Sequence, residues 1–300
     1  MADEEHPNER EYLRDFDTTR TSLPIFGYRD ELIRAVSEYP VLVVCGDTGS
    51  GKTTQLPQYL LETDPSLRIA VTQPRRIAAI SAAQRVAAET GSGLGTTVGF
   101  CVRFETVAAP DSKIVYMTDG ALLRRIASSS LADVADVVVL DEAHERSLET
   151  DLLFGILKER MASSQPRLRL IVMSATLDMD KFSAFFGDAP VFTVPGRMYP
   201  VHLLYAKRMK WAALKGQIVS KCVEAVLQIH QSQPQGDILV FLTGQSEIET
   251  CARLIATELD SLNPRDFAAY PAVQDLSIHP IYSALDTPDQ KQVFRPARPG

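Results

Sequence analysis

The chain has 300 residues, 45% of them hydrophobic and 23% charged, with a formal net charge of −7 at pH 7. That is enough chain for about two domains with full cores. No run approaches the ~18 apolar residues of a membrane span, and the acidic excess argues against binding nucleic acid through overall charge, leaving only a local basic groove. Cys45, Cys101, Cys222 and Cys251 are far apart, without Cys-x-x-Cys or His-x-x-x-His spacing. They read as buried thiols rather than a disulfide framework or a zinc site. The start, Met1 to His6, is acidic where a secretory signal is basic and then apolar, which predicts residence in the nucleus or cytosol.

In chain order, residues 1–22 are highly charged and poor in aliphatics and read as a mobile arm. A helix is expected over Tyr28 to Tyr39, then a doubly buried strand over Val41 to Cys45. That strand runs into Gly46-Asp47-Thr48-Gly49-Ser50-Gly51-Lys52-Thr53-Thr54, in which Gly46, Gly51, Lys52 and Thr53 fit G-x-x-x-x-G-K-[ST]. In this pattern backbone N–H groups surround nucleotide phosphates, the lysine reaches the β- and γ-phosphates, and the threonine hydroxyl lies on Mg²⁺. A helix from Lys52 to about Glu62 and a strand over Leu67 to Thr72 complete a right-handed crossover. The second strand ends in Thr72-Gln73-Pro74-Arg75-Arg76, where two arginines suit either phosphate-backbone contacts or a solvated basic turn. An Ala-rich helix runs on to about Thr90, and a strand over Lys113 to Met117 leads into Thr118-Asp119-Gly120.

Val134 to Leu140 is the next expected strand, and it delivers Asp141 and Glu142 at its C-terminal end. Asp141 is placed to hold Mg²⁺, directly or through water, and Glu142 to orient or deprotonate an attacking water. His144 follows at a distance from which it could sense the γ-phosphate. A helix with Leu148, Leu152, Leu153, Ile156 and Leu157 as core residues precedes a strand over Leu168 to Met173, which ends in Ser174-Ala175-Thr176. Those hydroxyls either bridge Asp141 or His144 to a moving part or satisfy local backbone. Val194 to Arg197 reads as an interdomain joint. Beyond it the pattern predicts strands at Val201 to Tyr205, Asp237 to Leu242 and Ser277 to Ile281, with helices over Trp211 to Gln231, around Ile248 to Leu259, and from Pro288 through Phe294.

With Val98-Gly99-Phe100-Cys101-Val102-Arg103-Phe104-Glu105, Asp141-Glu142-Ala143-His144-Glu145-Arg146-Ser147 and Phe241-Leu242-Thr243-Gly244-Gln245 added, the chain from about Leu23 onward resembles the DEAH-box ATP-dependent RNA helicases, most closely the spliceosomal members that remodel pre-mRNA. The resemblance implies an α/β architecture of tandem RecA-like P-loop NTPase domains, with parallel sheets covered by helices on both faces. An arm of residues 1–22 would precede a first domain over 23–194 and an incomplete second one over 195–300. It implies ATP and Mg²⁺ as cofactors, single-stranded RNA and spliceosomal proteins, including an activating partner, as partners, and no membrane. By position, Gly46, Thr48, Gly49, Ser50, Gly51, Lys52, Thr53 and Thr54 correspond to the phosphate site, Thr53 and Asp141 to the metal site, and Lys52, Asp141, Glu142 and His144 to the catalytic group. Arg85 and Phe294 correspond to a sandwich for the adenine. Arg75, Arg76, Thr118, Thr243 and Gly244 match RNA contacts, and Ser174 and Thr176 match the coupling motif.

The chain departs from the family pattern at Asp47, at Ser246 and over Ala108-Ala109-Pro110. More consequentially, the family's later Thr/Ser-rich motif and its Gln-Arg-Gly-Arg motif do not occur in the 300 residues. An arginine on a transferring phosphoryl group contributes about 10³- to 10⁵-fold in rate. The expectation is therefore weak Mg-ATP binding with inefficient turnover, and the alternative is a truncated nucleotide- or RNA-binding module without helicase activity. A DNA-directed helicase on the same motor is a third reading, disfavoured by Asp141-Glu142-Ala143-His144 together with Thr72 to Arg76.

Overall fold

A computed structural model of the chain describes residues 18–162, 168–175, 179–196, 199–205, 217–261, 276–282, 284–285 and 293. The chain divides into two compact units, Met1–Pro200 and Val201–Gly300. Among the described residues no helix is long and apolar enough to cross a membrane.

The first unit is built on eight strands: β1 (Val41–Gly46), β2 (Ile69–Gln73), β3 (Val98–Val102), β4 (Glu105–Val107), β5 (Ile114–Thr118), β6 (Val137–Leu140), β7 (Arg169–Ser174) and β8 (Val191–Val194). They form one sheet in the order β4-β3-β5-β2-β6-β7-β1-β8, parallel throughout except for the β3–β4 hairpin. The helices are α1 (18–22), α2 (Arg29–Glu38), α3 (Lys52–Thr63), α4 (Arg76–Glu89), α5 (Asp119–Ser128), α6 (Leu131–Val134), α7 (Leu148–Ala162) and α8 (Met179–Phe185). Side chains alternate along each strand, so β1 sends Leu42 and Val44 into one core with α2, α3 and α4, and Val41, Val43 and Cys45 into another with α5, α7 and α8. Burial on both faces is why β1 and β6 read as unbroken apolar runs. The doubly covered sheet is that of the expected RecA-like domain.

Several expectations are corrected. Residues 18–22 are not part of an arm but a helical turn, held where Arg20 donates to Gln55 Oε1 at 2.9 Å and to Glu62 Oε1 at 2.7 Å. Of the α7 residues expected in the core, Leu153 and Leu157 are buried, whereas Leu148 and Leu152 are mostly exposed. A helix presents one stripe to the sheet, and here Thr150, Leu153, Phe154 and Leu157 occupy it. Strands β3, β4 and β8 were not anticipated.

In the second unit, helices Ile218–Ser232 and Gln245–Ser261 pack through Val223, Val226, Cys251 and Ile255. The strands expected over 201–205, 237–242 and 277–281 are not formed among the described residues. The alternation survives without a ladder: Ile238, Val240, Leu242 and Ile278 pack on the helix pair, while Leu239 and Phe241 face out. The patterning settles which side of the segment is buried, but a strand also needs a hydrogen-bonded neighbour. The helix expected from Pro288 and part of that expected from Trp211 lie outside the described residues.

Candidate functional site

Strands β1, β7, β6, β2 and β5 run side by side and parallel, so their C-terminal ends form one edge that carries the phosphate-loop motif, Ser174, Asp141, Gln73 and Thr118 in that order. Ligands of open parallel sheets bind at this edge.

The loop after β1 is closed by its own turn, Ser50 N–H donating to the Asp47 carbonyl at 3.2 Å. Gly49 and Gly51 have φ of +80° and +94°, a left-handed conformation that only glycine adopts freely. A Cβ at Gly51 would also lie 2.9 Å from Ile25 Cγ2, so the segment before α2 forms the floor of the loop. Lys52 is 7% exposed, and its ammonium donates to the carbonyls of Gly46 and Asp47 and to Ser50 Oγ. Three donors thus meet three oxygens of the loop. Burial lowers the Lys52 pKa, and the charges of Asp141 and Glu142 oppose that.

Asp141 is 2% exposed and accepts from Thr53 Oγ1 and from Gln73 Nε2, both at 2.5 Å to Oδ2, and from the Glu142 N–H at 2.8 Å. Burial pushes its pKa up to about 6, the Thr53 hydrogen bond pulls it back, and the Glu142 charge raises it again. The hydroxyl and the carboxylate are hard oxygen donors placed together. Among the described residues no group of three or more His, Cys, Asp or Glu side chains could hold a metal ion. Mg²⁺ usually takes one or two carboxylates with substrate phosphates and waters, and the Thr53 hydroxyl and Asp141 carboxylate are donors of that kind.

Glu142 holds a left-handed backbone, φ 50° and ψ 36°, a conformation that costs a non-glycine residue on the order of 1 kcal/mol. His144 Nδ1 lies 3.4 Å from Glu142 Oε2 and also receives the Ala175 N–H at 3.4 Å. One nitrogen cannot accept from Ala175 and donate to Glu142 at once, so the imidazole's proton decides which contact forms. The link from the Ser174-Ala175 segment to the carboxylate turn therefore runs through the Ala175 backbone to His144. Ser174 itself is buried, and Thr176 lies outside the described residues.

Arg75 pairs with Glu145 at 3.0 Å and Arg76 with Glu105 at 2.7 Å, with 75% and 43% of their side chains exposed. Thr118 ends β5 opposite Gln73. Arg85 is held by Glu89, and Phe294 lies outside the described residues. In the second unit, exposed Thr243 donates through its N–H and hydroxyl to Glu247, and Gly244 accepts the Ile248 N–H at the start of a helix.

Several site residues lie beyond sequence reasoning. Gln73 stood inside a motif with no indication that its amide meets Asp141, 68 positions away. Tyr116 gave no signal. Pro57 lies within α3 and has no N–H for the carbonyl four residues before it, that of Thr53. The buried Tyr116 hydroxyl donates to that carbonyl at 2.8 Å, making good the bond that proline removes beside the phosphate loop. Asp119 accepts from Thr150 Oγ1 at 2.5 Å and Ser147 Oγ at 3.3 Å, tying α5 to the start of α7.

Residues 28–185, more than half of the 300, match the family described as DEAD/DEAH box helicase.

Proposed function

The chain belongs to the DEAD/DEAH box helicase family, and from that premise we propose that it carries the ATP-binding motor of a DEAH-box RNA helicase that remodels pre-mRNA complexes in the nucleus. The observation that carries this reading is the meeting of Thr53 and Gln73 on one carboxylate oxygen of Asp141. The phosphate loop, the metal-binding acid and the segment bearing Arg75 and Arg76 are thereby linked through single side chains.

In this reading Gly46, Thr48, Gly49, Ser50, Gly51 and Thr54 enclose the phosphates with Lys52, and Thr53 and Asp141 hold Mg²⁺. The ion, when bound, supplies charge neutralisation at the phosphate oxygens. Glu142 orients or deprotonates the attacking water, and His144 joins it to the segment of Ser174 and Thr176 that couples hydrolysis to movement. Arg85 of the first unit and Phe294 of the second are the residues assigned to the base. Arg75, Arg76, Thr118, Thr243 and Gly244 contact single-stranded RNA, and an activating protein is a further partner. The Glu145 and Glu105 partners of the two arginines give way to backbone phosphates.

A second reading is a nucleotide- or RNA-binding module without helicase activity. The 300 residues contain no Gln-Arg-Gly-Arg sequence. By themselves they should turn over ATP slowly, since such an arginine is worth about 10³- to 10⁵-fold. ATP hydrolysis by this chain, measured alone, with single-stranded RNA and with single-stranded DNA, tests both readings. Stimulation by RNA above that by DNA supports the RNA motor, and equal stimulation removes the RNA preference. A rate within tenfold of a complete family member would overturn the slow-turnover reading.

A further inference from the structure

Glu89, on the last turn of α4, is a carboxylate with 1% of its side chain exposed. It accepts from Arg85 Nε at 2.6 Å on one oxygen, and on the other from Gln55 Nε2 at 2.8 Å and Gln58 Nε2 at 2.7 Å. Gln55 and Gln58 are buried residues of α3, the helix that begins at Lys52. Both lead back to Thr54 in the phosphate loop: the Gln55 amide donates to Thr54 Oγ1 at 3.0 Å, and that of Gln58 to the Thr54 carbonyl at 2.8 Å. A buried carboxylate is a poor source of stability, because losing its hydration offsets most of what an ion pair returns. Its effect here is geometric. Arg85 has 42% of its side chain exposed, yet its guanidinium is held at Nε by a buried carboxylate that also accepts from two glutamines.

We propose that Glu89 is a positioning residue for the nucleobase of the bound nucleotide: it holds the planar Arg85 cation as a stacking platform at a set distance from the phosphate loop, through Gln55, Gln58 and Thr54. This rests on the reading that Arg85 stacks on the base. A flat cation presented against a ring suits any purine or pyrimidine, since every base has a π-face. It adds nothing to recognition of the phosphates, so the network separates base-dependent from phosphate-dependent affinity.

The test measures the affinity of the chain for Mg-ADP and for magnesium tripolyphosphate, which has no base, in wild type, Arg85→Ala, Glu89→Gln and the double variant. Base stacking is worth about tenfold in affinity, so Arg85→Ala should weaken Mg-ADP about tenfold and leave tripolyphosphate unchanged. Glu89→Gln, nearly isosteric but uncharged, should weaken Mg-ADP roughly three- to tenfold, again sparing tripolyphosphate. The double variant should be no weaker than Arg85→Ala, the non-additivity expected of two residues acting as one. Should Glu89→Gln fold poorly, Glu89→Asp retracts the carboxylate while keeping its charge, and the same selective loss is expected.

If Arg85→Ala weakens Mg-ADP but neither Glu89 variant does, the positioning role is overturned and the base reading stands. If Arg85→Ala changes neither ligand, the base reading fails and the inference with it. An equal loss of both ligands in the Glu89 variants would make Glu89 a support of α3 alone and overturn the proposal.

Discussion

Beside β1 and β6, Lys52 and Asp141 are 7% and 2% exposed, whereas where the neighbouring β2 leads into α4, Arg75 and Arg76 keep 75% and 43% of their side chains in solvent. The buried pair is held by fixed loop oxygens, a hydroxyl and an amide. Among the described residues the arginines have only the partly exposed carboxylates of Glu145 and Glu105 as ion-pair partners. Charge removed from water is costly and strongly shifted, and it binds a ligand with little reorganisation. Charge left in water is cheap to hold, screened by salt and easily exchanged for a phosphate of a moving polymer. In the proposed reading, one sheet edge thus offers a rigid site for a small anion and an adaptable one for a long one.

The largest expected effect concerns Asp141. Its folded pKa, about 6, lies above the ordinary 3.8. The stabilising effect of the protonated carboxyl is therefore full below pH 3.8 and is lost as pH rises through 6. At about 1.4 kcal/mol per pKa unit the whole span is roughly 3 kcal/mol. Asp141→Asn should accordingly gain stability over wild type, without nucleotide or Mg²⁺, as pH rises from 4 to 8. Denaturant midpoints at a series of pH values measure it, and a constant difference would mean that Asp141 is not desolvated.

Lys52→Ala should weaken Mg-ADP binding roughly 10- to 100-fold, the equivalent of charge-assisted hydrogen bonds worth about 1.5–3 kcal/mol. Calorimetric titration decides, and a loss below threefold would place the ammonium outside the phosphate site. Tyr116→Phe should cost about 1–2 kcal/mol in urea unfolding, because the Thr53 carbonyl, already without a Pro57 partner, is left with no donor. No change would mean that water replaces the hydroxyl.

Smallest are the effects of Arg75→Ala and Arg76→Ala on stability, within about 0.5 kcal/mol each, as for exposed pairs. The same variants should each lower the slope of log affinity for single-stranded RNA against log salt by about 0.7. A stability loss comparable to that of Tyr116→Phe would erase the contrast between the buried and the exposed charges of the edge.

Much of this was legible where the signal is local. Strands β1, β2, β6 and β7 announce themselves because both their faces are buried. The phosphate loop and the Asp141-Glu142 pair are contiguous motifs, each at the end of such a strand. Strand β3 carries Gly99, β4 is three residues long and partly exposed, and β8 is partly exposed, so none gave a strong pattern. In the second unit 237–242 was expected as a strand; its period-two pattern matches one packed and one outward side, but no strand forms there among the described residues.

The sequence by itself determined the sheet-forming runs of the first unit, the loop built for phosphates and the acid expected to face it, because each depends on residues near one another in the chain. Only the tertiary structure decided that Gln73 and Thr53 share Asp141, that Tyr116 supplies the donor for the carbonyl Pro57 leaves open, and that Glu89 fixes Arg85 to the phosphate-loop helix. Apart from the short-range Arg85–Glu89 pair, these contacts join residues 31 to 88 positions apart. They depend on which strands and helices become neighbours, and a hydrogen bond between buried groups leaves no periodicity in the sequence from which to read it.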